Sequence, residues 1–102
     1  MMYYVYILYS EDSDRYYIGH SNDPWNRLNQ HLENEGKTYT GKHSNWKLKA
    51  VFAVSEKRQD ALKMERFIKS QKSRKFIEKL LDEAFIPEGK IAQLLRVPHL
   101  RD

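Results

Sequence analysis

The run Tyr3-Tyr4-Val5-Tyr6-Ile7-Leu8-Tyr9 is aromatic or branched on both of its alternating sets, and this limits the possible folds more than any other stretch. A β-strand sends successive side chains to opposite faces, so a strand apolar on both sets must be covered on both sides. The chain therefore needs one layer above its sheet and one below. With 102 residues, both must be built around a single core.

The rest of the pattern supplies those layers. Glu11-Asp12-Ser13-Asp14 has turn composition, and Arg15-Tyr16-Tyr17-Ile18-Gly19 reads as a second strand, closing a β-hairpin. With the loop centred on Asp12-Ser13, Leu8 falls opposite Tyr17 and Tyr6 opposite Gly19, which makes Tyr6 and Tyr17 diagonal neighbours on one face. Asp23 is placed to cap a helix whose first residue is Pro24, running to about Glu33 with Trp25, Leu28 and Leu32 as its core stripe. Arg27 and His31 stand one turn apart on the adjoining flank. A polar loop over residues 34–45 leads to a third strand, Trp46 to Val54. A second helical region starts near Ser55, with Ala61, Leu62, Met64 and Ile68 apolar, and a last helix is expected from Arg74, capped by Ser73, to about Glu83. Pro87-Glu88-Gly89 is a turn, and residues 91–97 are apolar enough to pack back on the body. The expected class is α+β: a three-stranded sheet, mixed or antiparallel, made of the hairpin plus one strand and flanked by helices in the order β-β-α-β-α-α. Residues 1–83 form the domain, and 84–102 form an extension packed on it.

Composition narrows the chemistry. Without cysteine there are no disulfides, Cys-zinc sites or thiol nucleophiles. No stretch approaches the roughly 20 apolar residues of a membrane span, and Met1 leads into the Tyr3–Tyr9 run with no basic segment and no small-residue cleavage site, so a secretory signal is not expected. The expected compartment is the cytoplasm. A formal net charge of +4 favours an anionic partner, and Lys69, Lys72, Arg74, Lys75 and Lys79 concentrate the positive charge.

Four features need explaining: two tyrosines on one hairpin face, Arg27 and His31 one turn apart, Glu65 in an apolar helical stripe, and the basic cluster. Each has a bland account. Strand tyrosines pack their rings and leave the hydroxyl to solvent, Arg27 and His31 can form a solvated flank, and lysines usually line a wet helix face. Glu65 lies about 40° from Ala61 on a helical wheel, where it can pair with Lys69 four residues on.

Taken together, the residues fall into a known order. Tyr17-Ile18-Gly19 stands where the GIY-YIG nucleases have their second half-motif, and Tyr4-Val5-Tyr6 keeps the last tyrosine of the first. The family's helix arginine matches Arg27 in Ser21-Asn22-Asp23-Pro24-Trp25-Asn26-Arg27-Leu28, its histidine one turn later matches His31, and its metal-binding glutamate matches Glu65. Over residues 1–83 the chain resembles this family, in particular small standalone members related to the N-terminal nuclease module of the excision-repair incision subunit. Position 20, often Lys in relatives, is His20 here, and an asparagine that assists some relatives has no counterpart.

The resemblance implies a divalent-metal-dependent endonuclease hydrolysing phosphodiester bonds, with DNA as the foremost substrate and repair or recombination as the setting. It implies one Mg²⁺ or Mn²⁺ on Glu65, a hard ion content with one or two carboxylates and several waters. Arg27 would clamp a phosphate oxygen, and Tyr6 would position water or phosphate. Tyr17 would be the general base, with His20 or His31 as alternatives. The five cations of the basic cluster would meet further phosphates. A competing reading keeps the fold as a nucleic-acid-binding module with little or no cleavage.

Overall fold

The computed structural model describes residues 1–33 and 45–98. A four-stranded, wholly antiparallel sheet forms the centre, with strands β1 (Tyr3–Ser10), β2 (Arg15–Ser21), β3 (Trp46–Ser55) and β4 (Leu95–Val97) in the spatial order β2-β1-β3-β4. Three helices accompany it: α1 (Pro24–Glu33), α2 (Arg58–Ser70) and α3 (Arg74–Leu81). The fold is α+β as expected, with four strands in place of three.

β1 is the inner strand that its composition requires. Val5, Tyr6, Ile7 and Leu8 are all fully buried, and they serve two separate cores, one on each face of the sheet, where chain length alone predicts a single one. Val5 and Ile7 join Ile18, Ala50, Phe52, Ala61, Met64, Ile68 and Leu80 under α2 and α3. Tyr6 and Leu8 join Trp46, Leu48 and Val51 on the opposite face, against Trp25 and Leu28 of α1. The hairpin has the expected register, with Leu8 paired to Tyr17 and Tyr6 to Gly19. β2 is left as an outer strand.

Local chemistry sets the boundaries. The Asp23 carboxylate accepts a hydrogen bond from the Asn26 amide at 3.2 Å, so α1 starts at Pro24 as expected. α2 begins at Arg58 rather than near Ser55, because Ser55 still belongs to β3. Its hydroxyl accepts from the Lys57 amide and donates to Asp60, spanning the turn into the helix. α3 ends at Leu81, not Glu83: Asp82 adopts extended backbone and its carboxylate takes the Ala84 amide. Leu32, expected in the core stripe of α1, is 38% exposed near the end of that helix, where neither core includes it.

The fourth strand comes from the C-terminal stretch. Leu95–Val97 pairs with Val51, Phe52 and Ala53 along the otherwise open edge of β3. Arg96 lies over the Phe52 ring at 4.8 Å and donates to the carbonyls of Leu80 and Asp82, satisfying acceptors that the end of α3 leaves open. The loop expected over residues 34–45 falls outside the described residues apart from Asn45.

Candidate active site

The outer strand β2 brings the chemistry together, because its two faces carry different residues. Tyr17 and Gly19 point to the α1 side with Tyr6, whereas His20, paired with Val5, points to the α2 side. Gly19 makes the arrangement possible. A Cβ at this position would lie 2.5 Å from the Tyr6 hydroxyl, 2.6 Å from its ring carbon and 3.0 Å from the Tyr17 ring. The Tyr6 ring therefore crosses β2 through the space that the missing side chain leaves.

On the α1 side, Tyr6 and Tyr17 have ring centroids 6.2 Å apart, and His31 stacks edge-on against Tyr17 at 4.8 Å. The Tyr6 hydroxyl meets His31 Nε2 at 3.1 Å. Burial pushes Tyr6 up to about 12, with the Tyr17 and Glu65 charges adding to the rise and Arg27 opposing it through a hydrogen bond and its charge. Burial, seconded by Arg27, depresses His31 to about 4. At neutral pH both groups are uncharged. Arg27 is steadied by its own turn, donating from Nη1 to Gln30 Oε1 at 2.7 Å.

On the α2 side, Glu65 is only 12% exposed and its two oxygens have different partners. His20 Nδ1 lies 2.7 Å from Oε1, and Lys69 Nζ donates to Oε2 at 2.9 Å. The pairing with Lys69 is the one that helical spacing offers; the contact with His20 joins residues 45 apart and needs the packing of α2 on β2. Lys69 also lies 5.5 Å from the Tyr17 ring centroid, linking the two faces around the strand edge. Among the described residues no three His, Cys, Asp or Glu side chains form a metal cage. A carboxylate offers roughly four lone-pair positions, of which Glu65 uses two. Its donor set therefore fits one hard, water-rich ion held by a single protein carboxylate.

The basic cluster does not stay together. Lys69 belongs to Glu65. Arg74 reaches back to the hairpin loop, where it bonds the Asp14 carboxylate and, at 3.0 Å, the Asp14 carbonyl. Tyr9 donates to the same carboxylate at 2.6 Å, and that bond, followed by Arg74, holds Asp14 below the usual carboxylate range. Lys79 lies over the Phe85 ring at 5.1 Å. Lys72 and Lys75 are exposed at the start of the α3 segment. Sequence reasoning missed a polar cleft of about 370 Å³ beside His20, where Asn22, Asn26, Arg27, Gln30 and Arg58 converge. Its only signal was the concentration of amides around the start of α1.

The family model of the GIY-YIG catalytic domain matches residues 2–79. The chain belongs to the GIY-YIG family. Membership makes it a nuclease-family domain, the family being one of hydrolases that act on nucleic acid, and the match covers the hairpin, α1, β3, α2 and most of α3. No curated protein and no solved structure matches the chain significantly. Within the GIY-YIG domain Tyr17, Gly19 and Glu65 surround one edge of the sheet, and no helix among the described residues is long and apolar enough to cross a membrane.

Proposed function

We propose that this protein is a divalent-metal-dependent endonuclease that hydrolyses phosphodiester bonds in DNA in a repair or recombination setting, akin to the nuclease module of the excision-repair incision subunit. The observation that carries this reading is the convergence at the β2 edge of Tyr6, laid across Gly19, with Tyr17, His31 and the inward carboxylate of Glu65.

Phosphodiester hydrolysis asks for neutralisation of charge on phosphate oxygens, activation of water and help to the leaving oxygen. Glu65 would hold a Mg²⁺ or Mn²⁺ ion, which when bound supplies Lewis-acid stabilisation of the phosphate charge. Arg27 presents a planar, permanently charged fork to the phosphate. His20 fixes the orientation of Glu65, and Lys69 balances its charge. The two tyrosines divide the remaining work by environment. Tyr6, pushed up to about 12, keeps its proton and acts as a hydrogen-bonding group that positions water or phosphate. Tyr17 is partly exposed, beside the Lys69 ammonium and within reach of solvent, and it takes the proton of the attacking water. His31, depressed to about 4 and already facing the Tyr6 hydroxyl, acts as a positioning residue for Tyr6 rather than as the base. Lys72 and Lys75 contribute to phosphate binding outside this centre, while Lys79 and above all Arg74 have structural contacts of their own.

A panel of duplex, flap, branched and single-stranded DNA, with RNA counterparts, incubated with Mg²⁺, Mn²⁺ or EDTA tests the reading. Cleavage of DNA that needs the metal is the expected result. Binding without cleavage under every condition would favour the competing reading, a nucleic-acid-binding module on the nuclease fold.

A further inference from the structure

The helices α1 and α2 cover opposite faces of the sheet, and both reach the polar cleft of about 370 Å³ at the Ser21 end of β2. Arg27 enters it from α1 and Arg58 from α2, with His20 of β2 in the same lining. Lys47, Lys69 and Arg74 are each paired with a carboxylate. Arg27 and Arg58 have no such partner among the described residues: Arg27 donates to the Gln30 amide oxygen, and the Arg58 guanidinium lies 4.9 Å from the Tyr3 ring centroid. Asp23 also lines the cleft, its carboxylate accepting the Asn26 amide at the cap of α1. The cleft joins the catalytic centre twice, through Arg27 and through His20, whose Nδ1 meets Glu65 at 2.7 Å. Arg58 itself stands about two turns before Glu65 on α2, about 10 Å along the helix axis.

We infer that Arg58 is a further substrate-binding residue, which holds in this cleft the backbone phosphate next to the scissile one, whatever the base sequence. The inference rests on the nuclease reading and adds a second phosphate site to it. A guanidinium is permanently charged and offers a planar fork to phosphate oxygens, and the Tyr3 ring orders that of Arg58 without cancelling its charge. Its offset from Glu65 separates it from the metal-binding carboxylate, so it suits a neighbouring phosphate rather than the reacting one. Asn22, Asn26 and Gln30 complete the lining. Guanidinium and amide groups are what proteins aim at phosphate and sugar oxygens, contacts that fix register and carry no base information. No apolar side chain lines the cleft to receive the face of a base. Its volume lies within the roughly 300–1,000 Å³ of small-ligand sites, a scale suited to a phosphate and its sugar.

Binding to the DNA of the panel in EDTA, measured across a salt series, tests the contact without any cleavage. Arg58→Gln removes one phosphate partner, so the log-affinity against log-salt slope should shrink by about 0.9 on a duplex or about 0.7 on a single strand. Affinity should fall about tenfold, in line with hydrogen bonds to charged groups. An unchanged slope in the folded variant would overturn the inference. A short DNA cut at one mapped bond, carrying an uncharged methylphosphonate at each linkage in turn, tests the position. With the native protein, neutralising the linkage next to the scissile one should weaken binding about as much as Arg58→Gln does, and the two changes together should cost no more than either alone. Additive losses at every linkage would mean that Arg58 acts through the fold, and would overturn the site. Changing the base at that nucleotide should leave affinity as it was; a base dependence that Arg58→Gln removes would make the cleft a reader of bases and overturn it likewise. Metal-dependent cleavage with an unchanged slope rejects the Arg58 contact alone, and a reduced slope without cleavage under any metal rejects the nuclease reading alone.

Discussion

Gly19 shows how a single absent side chain can define a site. The Tyr6 ring fills the volume that a Cβ would need, so Gly19→Ala must push aside a ring buried between two strands and a helix. Overpacking of this kind costs about 1–3 kcal/mol, and we expect that loss in urea denaturation, together with a large fall in cleavage as Tyr6 is displaced. Unchanged stability and activity would mean that the ring has room to move. His31 gives a second residue-level expectation. Its ordinary value near 6.5 falls to about 4 in the folded protein, so between those values the unfolded chain binds more protons than the native one. Stability from this group is therefore complete above about pH 6.5 and is lost as the pH falls towards 4, by about 2–3 kcal/mol in total. Denaturation curves of the native protein and His31→Gln between pH 4 and 7 should converge towards the acid end. Parallel curves would show that His31 is not held neutral. The order Tyr17-Ile18-Gly19, Arg27, His31 and Glu65 was legible from sequence because motif spacing is local. The His20–Glu65 contact was not, since it depends on which face of β2 α2 covers.

At the level of elements, the hairpin was the most legible part. Turn composition and alternation fix its register, and Leu8 does lie opposite Tyr17 and Tyr6 opposite Gly19. The helix limits were less so, because local side-chain hydrogen bonds of Ser55 and Asp82, which hydrophobic periodicity does not register, decide them. β4 escaped altogether: three residues before Pro98 give too little alternation to read, and the strand exists only because the edge of β3 accepts it. The site depends on elements as rigid carriers, α1 above all, since it holds both Arg27 and His31. The Asp23 cap sets where that helix begins. Asp23→Ala should cost about 1 kcal/mol and lower the cleavage rate by loosening Arg27 and His31, while Tyr17 and Glu65 stay in place. Full activity with the expected stability loss would show that α1 is fixed by packing alone.

Across the whole molecule, the two cores have separate duties. The core under α2 and α3 is the larger and carries Glu65 on its margin; the core under α1 holds Tyr6 and touches Tyr17. β2, at the edge of the sheet, is where both margins meet, and the proposed catalytic centre therefore lies at the side of the sheet. The net charge of +4 favours an anionic partner, although Arg74 and Lys69 are already paired within the fold. Everything in this account turns on Glu65 as the residue that holds the metal. Single-turnover cleavage of saturating DNA by Glu65→Gln across a Mg²⁺ titration tests that most directly, because the change removes the charge and almost no volume. We expect a folded protein that binds DNA nearly as well as the native one and shows no Mg²⁺-dependent cleavage at any concentration. Near-native cleavage by that folded variant would contradict the account.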